Sequence, residues 1–131
     1  MRPEIRDEVA AWLRKAREDL RVAEAILQLS PPAIEDALFH CQQAVEKALK
    51  AFLTFYERPF PKTHNLGQLA GACREADDSL TESLQSVGDL TPFAWLFRYP
   101  GDAEAPPLEE SLDYLSRARD VLAEISERVR P

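Results

Sequence analysis

Apolar residues divide the chain into segments of helical period. Over residues 5–29, Val9, Leu13, Ala16, Leu20, Ala23 and Leu27 recur at alternating steps of four and three, the repeat of one helix face. Arg6, Arg14, Arg17, Glu18, Arg21 and Glu24 fall largely off that stripe, and Ser30-Pro31-Pro32 stops the helix because proline removes a backbone donor and clashes with the preceding turn. A second helix is predicted over residues 33–56, with Ala37, Leu38, Cys41, Ala44, Val45, Ala48, Leu49 and Phe52 forming a wide apolar side. It ends before Arg58-Pro59-Phe60-Pro61, where the residues preceding each proline are pushed out of the α region.

Thr63 is predicted to cap a third helix running to Ala76, with Leu66, Leu69, Ala70 and Cys73 inward. Leu80, Leu84, Val87 and Leu90 suggest a short helix after Asp77-Asp78, either separate or running brokenly into the next segment. Thr91-Pro92 reads as a cap followed by a first-position proline, starting one or two turns through Phe97. After a small-residue loop over 102–106, the last helix begins near Pro107, and Leu108, Leu112, Leu115, Ala118, Val121, Leu122, Ile125 and Val129 give it an inward stripe. No alternating strand pattern competes with these segments. The expected fold is all-α, a four- to five-helix up-and-down bundle in one domain over residues 1–131, with Leu20, Leu49 and Leu122 in a common core.

Composition agrees with that expectation: 45% hydrophobic residues in 131 suffice for one core without metals or disulfides. No run approaches the roughly 18 uncharged apolar residues of a membrane span, and Met1-Arg2-Pro3-Glu4 leads straight into an amphipathic pattern, so a cytoplasmic protein is expected. Cys41 and Cys73 occupy apolar helix positions, where a thiol acts as a small hydrophobe, and no structural disulfide is expected. The two histidines and two cysteines have no zinc-type spacing, so neither a metal nor another cofactor is expected. A net charge of −7, from 16 basic and 23 acidic residues, opposes diffuse wrapping by a polyanion and leaves room only for local basic sites.

Such a site has candidates. On the second helix His40, Gln43, Lys47 and Lys50 step by three, four and three, which places them in one polar stripe. That stripe suits a phosphate or nucleotide; equally, it suits a solvated face stitched by pairs such as Glu46 with Lys50. His64 stands where a helix is predicted to begin, as an anion contact beside free N–H groups or as an ordering residue for the proline loop. Arg98 follows Trp95, Leu96 and Phe97, a place for a guanidinium held by a carboxylate or by a phosphate. Tyr99 is a candidate for stacking on a base or for packing on the helices. Trp12 and Trp95 are candidates for an interface or for the core. No serine–histidine–acid set, glycine-rich phosphate loop or two-cysteine redox motif is present, which removes the commoner enzyme classes.

Taken in order, Ala16-Arg17-Glu18-Asp19-Leu20, the run from Phe39 to Lys50, Thr63-His64-Asn65-Leu66, Leu90-Thr91-Pro92-Phe93-Ala94 and Arg98-Tyr99-Pro100-Gly101 resemble the HEPN domain. The resemblance covers nearly the whole chain. It implies a prokaryotic homodimer that accompanies a minimal nucleotidyltransferase in a toxin–antitoxin-like pair and binds a nucleotide, RNA or a protein partner. Some members are metal-independent ribonucleases carrying an arginine and a histidine four to six residues apart within a helix. The chain departs from that pattern: no histidine follows Arg98, and Arg58 reaches His64 only across the loop of Pro59 and Pro61. No catalytic residue is therefore assigned. The expectation is a non-catalytic binding companion, with a ribonuclease toxin and a ligand-free scaffold as the alternatives.

Overall fold

The structure, a computed structural model, describes residues 1–60, 62–80, Leu84, 87–97, 100–101 and 103–130. Among these every regular element is a helix: α1 Pro3–Leu27, α2 Ile34–Phe55, α3 Leu66–Ala76, a 3-10 helix Val87–Ala94 and α4 Leu108–Arg128. All six residues of the first stripe are buried, and so are all eight of the second. Helix α2 is the central element and packs against every other helix. Leu20, Leu49 and Leu122 share the core cluster, to which all five helices contribute.

Helices α1 and α2 run antiparallel, as their pairings show. Arg2 bonds Glu57 just beyond α2, Lys50 lies 5.6 Å from the Trp12 ring, and Asp19 reaches back to Lys47 and His40. Partner numbers fall along α2 as they rise along α1. The end of α2 is closed by a left-handed residue, Glu57 at φ 53, which lets Arg58 N–H return to the Leu53 carbonyl at 2.8 Å. Glutamate there lacks the freedom of glycine, and backbone bonds from Glu57 and Arg58 close the turn.

Three boundaries differ from the sequence expectation. Helix α3 begins at Leu66, and its cap is Asn65, whose side chain accepts from Gln68 N–H. Thr63 does not cap it; its hydroxyl accepts from Asn65 N–H at 3.0 Å and orders the approach. Thr91 and Pro92 do not open a helix either. They lie inside the continuous 3-10 helix, and the Thr91 hydroxyl accepts from Leu66 N–H at 2.9 Å. In α4, Leu108 and Leu112 are exposed, because the core face runs through Ser111, Leu115, Ala118, Leu122, Ile125 and Val129. Buried Ser111 satisfies its hydroxyl on the Pro107 carbonyl at 3.1 Å.

Cys41 and Cys73 are both free and buried, and burial pushes each thiol up to about 12. Trp12 is half-buried against Phe60, whereas Trp95 is exposed. No described helix is long and apolar enough to cross a membrane.

Candidate functional site

The polar stripe on α2 exists, and it is organised by two carboxylates. Asp19 follows Ala16 by three positions and precedes Ala23 by four, so the α1 periodicity carries it to the core edge facing α2; it is 8% exposed. Glu46 is 4% exposed, one position from Val45 at the margin of the α2 apolar side. Neither was a candidate on sequence grounds as a buried group, although the pairing of Glu46 with Lys50 was legible from its spacing.

Asp19 binds two stripe residues. His40 Nδ1 lies 2.8 Å from Oδ1 and Lys47 Nζ lies 2.6 Å from Oδ2. Glu46 gathers three groups. Its Oε1 takes His64 Nδ1 at 2.8 Å and Gln42 Nε2 at 3.1 Å, while Oε2 takes Lys50 Nζ at 3.1 Å. Gln43 Nε2 donates to the side-chain oxygen Oε1 of Gln42 at 2.7 Å, and Gln42 Nε2 also reaches the His64 backbone carbonyl at 3.3 Å. Fully buried Gln42 thus ties the loop before α3 to the α2 face. Burial alone would push the Glu46 carboxyl up, but bonds from His64, Gln42 and Lys50, with the Lys50 charge, outweigh it and hold the group below its ordinary range.

Both imidazoles are oriented by this arrangement. An ionised carboxylate only accepts, so Nδ1 of His40 and of His64 must carry the proton. Each Nε2 then faces away from its carboxylate, with no hydrogen-bond partner among the described residues. Lys47 and Lys50 each spend one of three ammonium donors on a carboxylate, and Lys50 also sits 5.6 Å from the Phe60 ring. The arrangement presents charge-assisted donors, two imidazole nitrogens and an amide oxygen along the α2 face.

His40, Gln43, Lys47, Lys50 and His64 are therefore brought to one region. Arg98 and Tyr99 lie outside the described residues. The helix start beside His64 has less to offer an anion than the sequence suggested, since the Leu66 and Gln68 N–H groups are taken by Thr91 and Asn65. Arg58 is exposed and makes no bond to His64. Among the described residues no group of three or more metal-ligating side chains converges.

Comparison with known proteins bears on the whole bundle. The model of the HEPN domain matches residues 9–129. Among solved structures, TT1696 from Thermus thermophilus is similar, with 27% identity and a TM-score of 0.76 over 91% of this chain and 96% of that one. No curated protein matches.

Proposed function

The chain belongs to the HEPN family, and from that premise we propose a non-catalytic binding module, the companion of a minimal nucleotidyltransferase in a prokaryotic, cytoplasmic toxin–antitoxin-like pair. Residues 1–131 form one such module, and two copies pair as a homodimer. Its ligand is a nucleotide, or RNA presenting the same phosphate and base groups, held on the α2 face by His40, Gln43, Lys47 and Lys50 with His64 alongside.

One observation carries the reading: five side chains able to contact a nucleotide are pre-positioned around two buried carboxylates. Lysines fixed in this way lose little side-chain freedom on binding. Each keeps ammonium donors for phosphate oxygens. Gln43 has its amide nitrogen engaged, which leaves its carbonyl oxygen for a base or ribose donor. Arg98 and Tyr99 remain sequence candidates for phosphate contact and base stacking.

A second reading has its own support, since an imidazole with Nδ1 on a carboxylate and Nε2 outward is the form that general-base catalysis uses. Metal-independent RNA cleavage would also need a cation at the phosphorus, and Arg98, the sequence candidate for it, has no histidine at the family spacing. Arginine cannot replace the base, because it stays protonated.

The test uses ATP and mixed RNA, both in chelator, with wild type, Lys47→Ala, His64→Ala and Arg98→Ala, each checked for helical content. The binding module predicts salt-sensitive ATP binding, weakened about tenfold or more in Lys47→Ala, and intact RNA. Robust cleavage lost in both His64→Ala and Arg98→Ala would instead establish the ribonuclease. Absence of both binding and cleavage leaves the scaffold.

A further inference from the structure

A groove between the start of α2 and the 3-10 helix belongs to neither carboxylate cluster. It encloses about 240 Å³ and is walled by Phe39, Phe93, Trp95 and Phe97, with Glu35 and Asp36 at its rim. Phe93 and Phe97 stack at 5.9 Å, and Phe39 meets the His40 ring edge-on at 5.4 Å. Trp95 is 52% exposed. Glu35 and Asp36 are exposed and have no hydrogen-bond or ion-pair partner among the described residues.

Carboxylates in the first turn of a helix complement its dipole, and that alone accounts for their presence. It does not account for a half-exposed tryptophan beside them. Unpaired carboxylates next to an open aromatic face form a receptor for an organic cation, which gains from the ring faces and the acids together. The volume falls below the roughly 300–1,000 Å³ of small-molecule sites, so it fits one or two side chains better than a whole metabolite.

We propose that this groove docks a basic segment of a partner protein, with an arginine or lysine at Trp95, Glu35 and Asp36 and an adjacent aliphatic side chain on the phenylalanines. The charge of the whole chain, −7, steers such a partner toward it. A second copy fits poorly. A two-fold contact through this groove would bring Glu35 and Asp36 of both copies together, like charge on like charge. A reciprocal contact of each groove with the exposed Arg14, Arg17 and Arg21 of the other copy's α1 is the arrangement that loss of a dimer in Trp95→Ala would reveal. The proposal extends the partner half of the function proposed above and is independent of its nucleotide half.

Phage-displayed random peptides of about a dozen residues, selected on the full chain without nucleotide, test the assignment. The expected consensus is an arginine or lysine beside an aliphatic residue. A synthetic peptide of that consensus should bind Trp95→Ala and the double variant Glu35→Gln/Asp36→Asn at least about tenfold more weakly than wild type. Asp7→Asn/Glu8→Gln removes the same charge near the opposite end of α2 and should change binding less than about twofold, as expected for a charge remote from the contact. Circular dichroism of each variant confirms the fold. The assignment fails if no basic consensus emerges, if both charge variants lose binding equally, or if Trp95→Ala converts a dimer to a monomer, which would make the groove a contact between copies.

Discussion

Glu46 is a carboxylate sunk among helices, 4% exposed, yet its pKa lies below the ordinary 4.5. Folding therefore favours its ionised form. That contribution to stability is complete above the ordinary value and is lost as pH falls through the depressed folded one. Glu46→Gln keeps the shape but removes the charge, and should cost about 1–3 kcal/mol at neutral pH. Urea denaturation at neutral pH and again well below 4.5 checks this, with the gap between variant and wild type closing in acid. An equal gap at both would show that the ion pairs contribute nothing. The stripe partners of Glu46 were legible in the sequence because helical spacing fixes which side chains are neighbours. Its burial, like that of Asp19, was not: a carboxylate at the margin of an apolar stripe has the spacing of a surface residue, and only the neighbouring helix covers it.

Among the elements, the long helices were legible because α1 and α2 bury their whole stripes and α4 most of its own, and periodicity reports that directly. Short elements carry too few turns for it. Thr63 and Asn65 are both capping residue types two positions apart, and tertiary bonds decide between them: Asn65 caps α3 while Thr91 takes the Leu66 N–H. Asn65→Ala should accordingly cost about 1 kcal/mol by thermal or urea unfolding, and Thr63→Ala clearly less. The reverse order would restore Thr63 as the cap. Pro92 misled for a related reason, since a proline that suits the first turn of an α-helix is also tolerated in the 3-10 helix that holds it. In α4 the leucines at 108 and 112 satisfied the repeat, but a buried serine held the core face, and residue type alone could not reveal that.

At the scale of the whole molecule, those two leucines, 40% and 48% exposed and one turn apart, are apolar surface that a partner copy can cover. The proposed homodimer is therefore expected to pair through α4. Light scattering should give a dimer at micromolar concentration and a monomer for Leu108→Ser/Leu112→Ser. A wild-type monomer at that concentration would remove the homodimer.

The topology also sets an order of assembly. Helices α1 and α2 are neighbours in sequence, joined by a short connection, so their hairpin closes early and cheaply. Helix α4 reaches α1 across 95 residues, where Arg119 meets Glu24 at 3.0 Å. During synthesis both helices of the hairpin leave the ribosome before α4, so a hairpin formed then has the flank awaiting Leu115, Ala118, Leu122 and Ile125 facing water. Until α4 has emerged, that flank is what a chaperone would bind and what crowded nascent chains would stick by.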